Sequence, residues 1–183
     1  MEELVRAGYI QGLLDITTTE LADELVGGIF SAGPDRMAAA SEMGIPQVVS
    51  VGALDMVNFG PPDTVPSQHG GRLFYPHNPT TTLMRTTVEE NGQLGRKLAT
   101  QLNRCKEDQA VLEFPHSGVS LLDSPCGAFR GDDQRQALLA GIKSGLQPHV
   151  PLVESHHAIN DAEFADVIVA QFLNLMKKRE DVE

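Results

Sequence analysis

Short apolar runs alternate with longer amphipathic segments along most of the chain. The first residues, MEELVRA, read as a helix stopped by Gly8. Tyr9 to Ile16 (YIQGLLDI) follows as a short buried strand. Thr18 or Thr19 then caps a helix carrying Leu21, Leu25, Val26 and Ile29 on one face. Pro34 suits a first helical turn, so Asp35 to Met43 reads as a helix ended by Gly44. The clearest strand is Ile45 to Val51, an almost unbroken β-branched run of the kind that both faces of a parallel sheet bury. From Gly52 to Pro79 periodicity disappears, and five of the eleven prolines fall there, so this stretch reads as a long functional loop. Periodicity returns with a helix from Thr86 or Thr87 to Cys105, whose first turn holds Glu89 and Glu90. A strand at Gln109–Phe114, an irregular segment at Pro115–Asp132, and a helix from Asp133 to Leu146 come next. His149–Ser155 is the last strand, and Asp161 to Lys178 the last helix.

Strands alternating with helices predict an α/β fold: a three-layer, Rossmann-like, mostly parallel sheet with helices on both faces. Residues 1–183 form one domain on this reading, large enough to bury roughly 70% of the unfolded surface. In such sheets the carboxyl ends of the strands share one rim, where ligands bind. That rim gathers Asp15 with Thr17, Thr18 and Thr19, then Gly52–Asp55, His116–Ser120 and His156–Asp161.

The net charge of −11 argues against nucleic acid as a partner, because no basic surface offsets a phosphate backbone. A small anion is still compatible, since helix N-termini and a few arginines can hold one. No apolar run reaches the roughly 20 residues a membrane span needs. The acidic N-terminus is no signal peptide. Cys105 and Cys126 form neither a zinc framework nor a disulfide scaffold, so the chain reads as cytoplasmic with reduced thiols.

Several local groupings could carry chemistry. The three threonines can offer hydroxyls and backbone N–H groups to an anion, or simply cap a helix. Gly33 and Arg36 place a tight turn beside one guanidinium, which can clasp a phosphate or carboxylate or pair with a surface acid. Asp55 and Asn58 follow the best strand, where a carboxylate can serve as base, metal ligand or hydroxyl acceptor, or bond nearby backbone. Arg85 precedes a helix cap and is a further anion contact; His77 reads as a loop histidine. A hydrolase would draw its acid and base from Asp55, His116 or His157. Gly118-Val119-Ser120 is not a G-x-S-x-G elbow, because Leu122 stands where the second glycine is required. Adjacent His156 and His157 point different ways, so no metal-ligand spacing is present.

The strings LLDITTTELADELVGG, SAGPDR, IPQVVSVGALDMVNFGPP, HNPTTTLMRTT and HHAINDAEFAD, taken in order, resemble the Tm-one-like ATP-binding family over nearly the whole chain. The resemblance implies two successive α/β halves, of which this chain matches the second, with ATP or a related nucleotide as ligand and Mg²⁺ as its companion. It also implies a strand and a GTGG-type segment upstream of Met1, and a basic residue where Ser117 stands. A sheet edge or apolar groove near the N-terminus would then be covered by a second copy or by the upstream half. The expected function is a ligand-binding module contributing Thr17, Thr18, Thr19, Gly33, Arg36, Asp55, Asn58 and Arg85 to a nucleotide or small-anion site. A hydrolase at the same rim and an oligomerisation module without turnover are the alternatives.

Overall fold

A computed structural model describes residues 1–180. The elements are α1 (Glu2–Arg6), β1 (Leu13–Thr17), α2 (Glu20–Val26), α3 (Ala38–Met43), β2 (Gln47–Gly52), β3 (Met56–Phe59), β4 (Phe74–Asn78), β5 (Thr81–Arg85), α4 (Val88–Leu102), β6 (Ala110–Pro115), α5 (Asp132–Gly145), β7 (Leu152–Ser155) and α6 (Ala162–Glu180). Four strands form a parallel sheet in the order β1-β2-β6-β7. Side chains alternate across it. Val49, Val51, Leu112 and Phe114 pack with Leu21 of α2, Leu94 and Leu98 of α4, and Leu138 and Ile142 of α5. Val48 and Val111 face the other way, against Phe164, Ile168 and Leu175 of α6. The expected three-layer α/β architecture, with helices on both faces, is the one observed.

Local chemistry sets the element ends. Thr87 caps α4 with a full capping box: its hydroxyl accepts from the Glu90 amide, and the Glu90 carboxylate accepts from the Thr87 amide. Helices α4 and α5 touch backbone to backbone. A Cβ at Gly95 would stand 2.3 Å from the Leu138 carbonyl oxygen, so only glycine fits there.

Four expectations need correction. The strand expected from Tyr9 begins only at Leu13. The helix after it stops at Val26, because Gly27 takes a left-handed conformation (φ 94°); Ile29 therefore leaves the helical face and is exposed. The helix expected from Asp35 starts at Ala38, since Met37 has φ 79° and breaks the run; its amide and that of Ala39 are held instead by the Glu2 carboxylate. Most consequentially, Gly52–Pro79 is not one loop. Together with β5, it builds a second, antiparallel sheet in the order β3-β5-β4, with two short 3₁₀ turns at Pro62–Thr64 and Ser67–His69. Pro76 is accommodated because β4 is an edge strand.

Candidate functional site

The rim loops meet as the alternation of strands and helices predicts, stitched together by backbone hydrogen bonds. Thr18 N–H donates to Gly52 O (3.0 Å), Ala53 N–H to Val119 O (2.9 Å), and Ile159 N–H to Gly118 O (2.9 Å). Ala53 turns the chain at φ 56°, a left-handed conformation unusual for a residue with a Cβ. One face of the antiparallel sheet stands opposite this rim, and between them lies a cleft of about 520 Å³. The rim contributes Thr17, Gly52, Ala53, Ser120, Leu121 and Asn160; the small sheet contributes Met56, Tyr75, His77 and Leu83. The wall is mainly apolar, with a hydroxyl, an amide or an imidazole at intervals, the usual make-up of a small-molecule site. It contains neither lysine nor arginine.

Beneath Ser120 lies a buried charged cluster. Ser120 Oγ accepts from the amides of Leu122 (3.0 Å) and Asp123 (3.1 Å) and donates to Asp55 Oδ2 (2.7 Å). Asp55 is 1% exposed, and its Oδ1 has no partner. Desolvation pushes its pKa up from 3.8 to about 6, against the opposing pull of the Ser120 hydrogen bond and the Arg85 charge. Arg85 donates from Nη1 to the Asp55 carbonyl (3.2 Å) and to Thr86 Oγ1 (3.0 Å), while its Nε and Nη2 have no hydrogen-bond partner. Burial lowers the Arg85 pKa. Its Nη2 stands 3.5 Å from Asp123 Oδ1, a carboxylate already held by Arg135 at 2.7 Å and by the Gly131 amide. The cleft floor is thus a serine hydroxyl backed by a carboxyl group that titrates near neutrality, able to accept a proton relayed through Ser120.

The other expected site residues lie elsewhere. Thr17 alone of the three threonines lines the cleft. Thr18 Oγ1 donates to Ser50 O (3.1 Å), and Thr19 Oγ1 accepts from Asn58 Nδ2 (3.1 Å). Asn58 also ties its amides to Asp23, fastening β3 to α2. Arg36 forms a buried bidentate pair with Asp15 (2.5 and 2.6 Å) and lines a separate hollow along β1 together with Thr17. Gly33, at φ 81°, shapes the turn before it. His116 Nε2 meets Glu154 Oε2 at 2.8 Å, so its ring is engaged outside the cleft. His157 sits on the rim, its amide donating to Ser155 Oγ. Among the described residues no three His, Cys, Asp or Glu side chains are grouped to hold a metal.

Reading the sequence put Ser120 on the rim but not among the binding residues, and it missed Tyr75 and Leu121. Tyr75 and His77 are two apart on β4, a period-2 signal hidden by the prolines around them. Glu113 was missed as well. It is fully buried in β6, on the strand face opposite Leu112 and Phe114, and neither carboxylate oxygen has a partner. Desolvation pushes its pKa up to about 7.

A parallel sheet whose carboxyl ends open on a cleft beside a small antiparallel sheet places the chain among the Rossmann-like α/β folds. More narrowly, it belongs to the uncharacterised protein family UPF0261, whose C-terminal domain matches residues 1–176. It is 50% identical over 97% of its length to a UPF0261 protein of Clostridium tetani, covering 44% of that protein. A UPF0261 protein of Mesorhizobium japonicum is 42% identical, with 97% of this chain and 45% of the relative aligned. The ToMV resistance protein Tm-1(GCR237) of Solanum lycopersicum is 43% identical across the whole chain, which covers 24% of it. The chain therefore spans less than half the length of these relatives. Among the described residues no helix is long and apolar enough to cross a membrane.

Proposed function

We propose that this domain binds a small molecule in the rim cleft, with a nucleotide or a related small polar compound as the ligand class. The observation carrying this reading is the cleft itself: about 520 Å³, at the carboxyl ends of the parallel strands, with Thr17, Ser120, Asn160 and His77 spaced along an otherwise apolar wall. Tyr75, Leu83 and Leu121 suit a flat ring or other apolar body, while the hydroxyls and the Asn160 amide suit its polar edge. A phosphate would be met by neutral donors and His77 rather than by arginine. Mg²⁺, if it accompanies a nucleotide, would be carried in on the phosphates. Two free thiols, one buried and one exposed, agree with a reducing, cytoplasmic setting. Turnover would fall to Ser120 and Asp55 rather than to His116.

The test is thermal shift with ATP, ADP, AMP, adenosine and sugar phosphates, each with and without Mg²⁺. At least one of them should raise the melting temperature in a saturable way, and Asn160→Trp, at the exposed lip, should abolish the rise without changing the unliganded melting point. A flat response to every compound contradicts the nucleotide reading. A second reading, contact with another copy or another domain, is favoured by β1, an edge strand whose exposed Leu14 lines one hollow with the exposed Met1. Sedimentation velocity on the parent and on Leu14→Lys tests it: dissociation of a dimer by the charge supports a second copy, and a monomer in both removes it.

A further inference from the structure

The small antiparallel sheet has a second cavity on its other face. Side chains alternate along its strands, so Tyr75, His77 and Leu83 point into the rim cleft while Phe74, Pro76 and Thr82 point away from it. Over that far face fold the two 3₁₀ turns of the proline-rich stretch, and between them lies a cavity of about 380 Å³. Its walls are Pro62, Val65, Pro66, Phe74 and Pro76, with Ser67, His69 and Thr82 as the polar members.

Three features distinguish this cavity from an incidental hollow. Its lining has no Asp, Glu, Lys or Arg, on a chain carrying 25 acidic and 14 basic residues. Three prolines hold its walls, so it is shaped in advance and binding would order little backbone. Thr82 lines it, is 4% exposed, and its hydroxyl has no partner in the protein. A buried hydroxyl without a partner is costly unless something else supplies a hydrogen bond. His69, 8% exposed and packed on Phe59 with ring centroids 5.2 Å apart, closes the base.

We propose that this cavity is a second ligand site, separate from the rim cleft, for a small neutral molecule with an apolar body and one hydrogen-bonding group. The volume lies in the range of small-ligand pockets, and the uncharged lining rejects an ionic ligand, which would lose its hydration there without a counter-charge. The occupant is therefore a ring or short aliphatic compound bearing a hydroxyl or carbonyl. Because the two cavities share one sheet but no lining residue, this inference stands whether or not a nucleotide enters the rim.

The experiment uses N-phenyl-1-naphthylamine, a neutral fluorophore, titrated against the protein and then displaced by 1-naphthol or naphthalene. The expected result is saturable enhancement with one site per chain, reduced at least tenfold in affinity by Ser67→Trp, which fills the cavity from an exposed position. Pro76→Glu, on an exposed edge-strand residue, should do the same through charge. Asn160→Trp should leave the signal unchanged. The parent should bind 1-naphthol about three- to tenfold tighter than naphthalene, and Thr82→Val should remove that preference. Absence of saturable binding overturns the proposal. So does loss of binding in Asn160→Trp with retention in Ser67→Trp and Pro76→Glu, which puts the probe in the rim cleft.

Discussion

The chain buries two aspartate–arginine associations of similar sequence character and opposite structural outcome. Asp15 and Arg36 meet in a two-pronged pair, with Glu2 and Glu20 within 3.5 Å of the same guanidinium. These carboxylates, with the Asp15 hydrogen bonds foremost, outweigh burial and raise the Arg36 pKa. Asp55 and Arg85 lie in the same cluster without clasping each other. The guanidinium reaches the Asp55 carbonyl rather than its carboxylate, and atoms on both side chains are left without partners. Burial therefore dominates, raising the Asp55 pKa and lowering that of Arg85. A closed pair fastens α3 to the sheet and has little left to offer a ligand. The unclosed one backs the floor of the cleft through Ser120, where unspent polarity is useful.

The contrast can be broken most sharply by removing each arginine. Arg36→Met leaves Asp15 buried without its counter-charge and should lose about 3–5 kcal/mol in urea unfolding. Arg85→Met forfeits hydrogen bonds to the Asp55 carbonyl and to Thr86, and should lose no more than about 2 kcal/mol, because Asp55 can stay neutral and Asp123 keeps Arg135. Equal losses would erase the distinction.

Next in size are the pH effects. In the folded state Asp55 holds its proton to about pH 6 against an ordinary 3.8, so folding binds protons between these values. The stabilisation is complete below about pH 4 and is lost as pH rises to about 6, a decline on the order of 3 kcal/mol. Asp55→Asn should flatten that part of the curve. Glu113 acts in the same direction between 4.5 and about 7. Glu113→Leu should flatten this upper part and raise stability at pH 8, as measured by denaturant midpoints across pH. A parent whose stability rises from pH 4 to 7 would refute both assignments.

The smallest expected change sharpens the link to the cleft. Ser120→Ala removes the hydroxyl that lowers the Asp55 pKa and binds two amides, and should cost about 1–2 kcal/mol. It should also move the Asp55 titration midpoint upward, observable by carboxyl carbon NMR.

How much was visible beforehand follows from the kind of signal. The β-branched run at Ile45–Val51, the capping threonine at Thr86 or Thr87 and the acidic first turn at Glu89 and Glu90 are local signals, and the elements they announce are present. The meeting of rim loops follows from the rule for parallel sheets. The antiparallel sheet was not legible, because β4 is an exposed edge strand carrying Pro76 and flanked by Gly71 and Pro79, where breakers mask the two-residue period. Arg36 and Arg85 were indistinguishable in sequence: each sits near a helix start, and only tertiary packing decides which one a carboxylate grips with two hydrogen bonds. Ser120 was legible as a rim residue, but its link to Asp55 was not, because the two are 65 residues apart in the chain.

The most direct measurement of the central claim is a ¹H–¹⁵N NMR titration with ATP, adenosine and a sugar phosphate, each with and without Mg²⁺. The account predicts saturable shifts at the amides of Thr17, Ala53, Ser120, Tyr75 and Asn160 with at least one of them, and none at Asp15 or Arg36. Shifts confined to the β1 edge around Arg36, with the cleft amides silent, would contradict it.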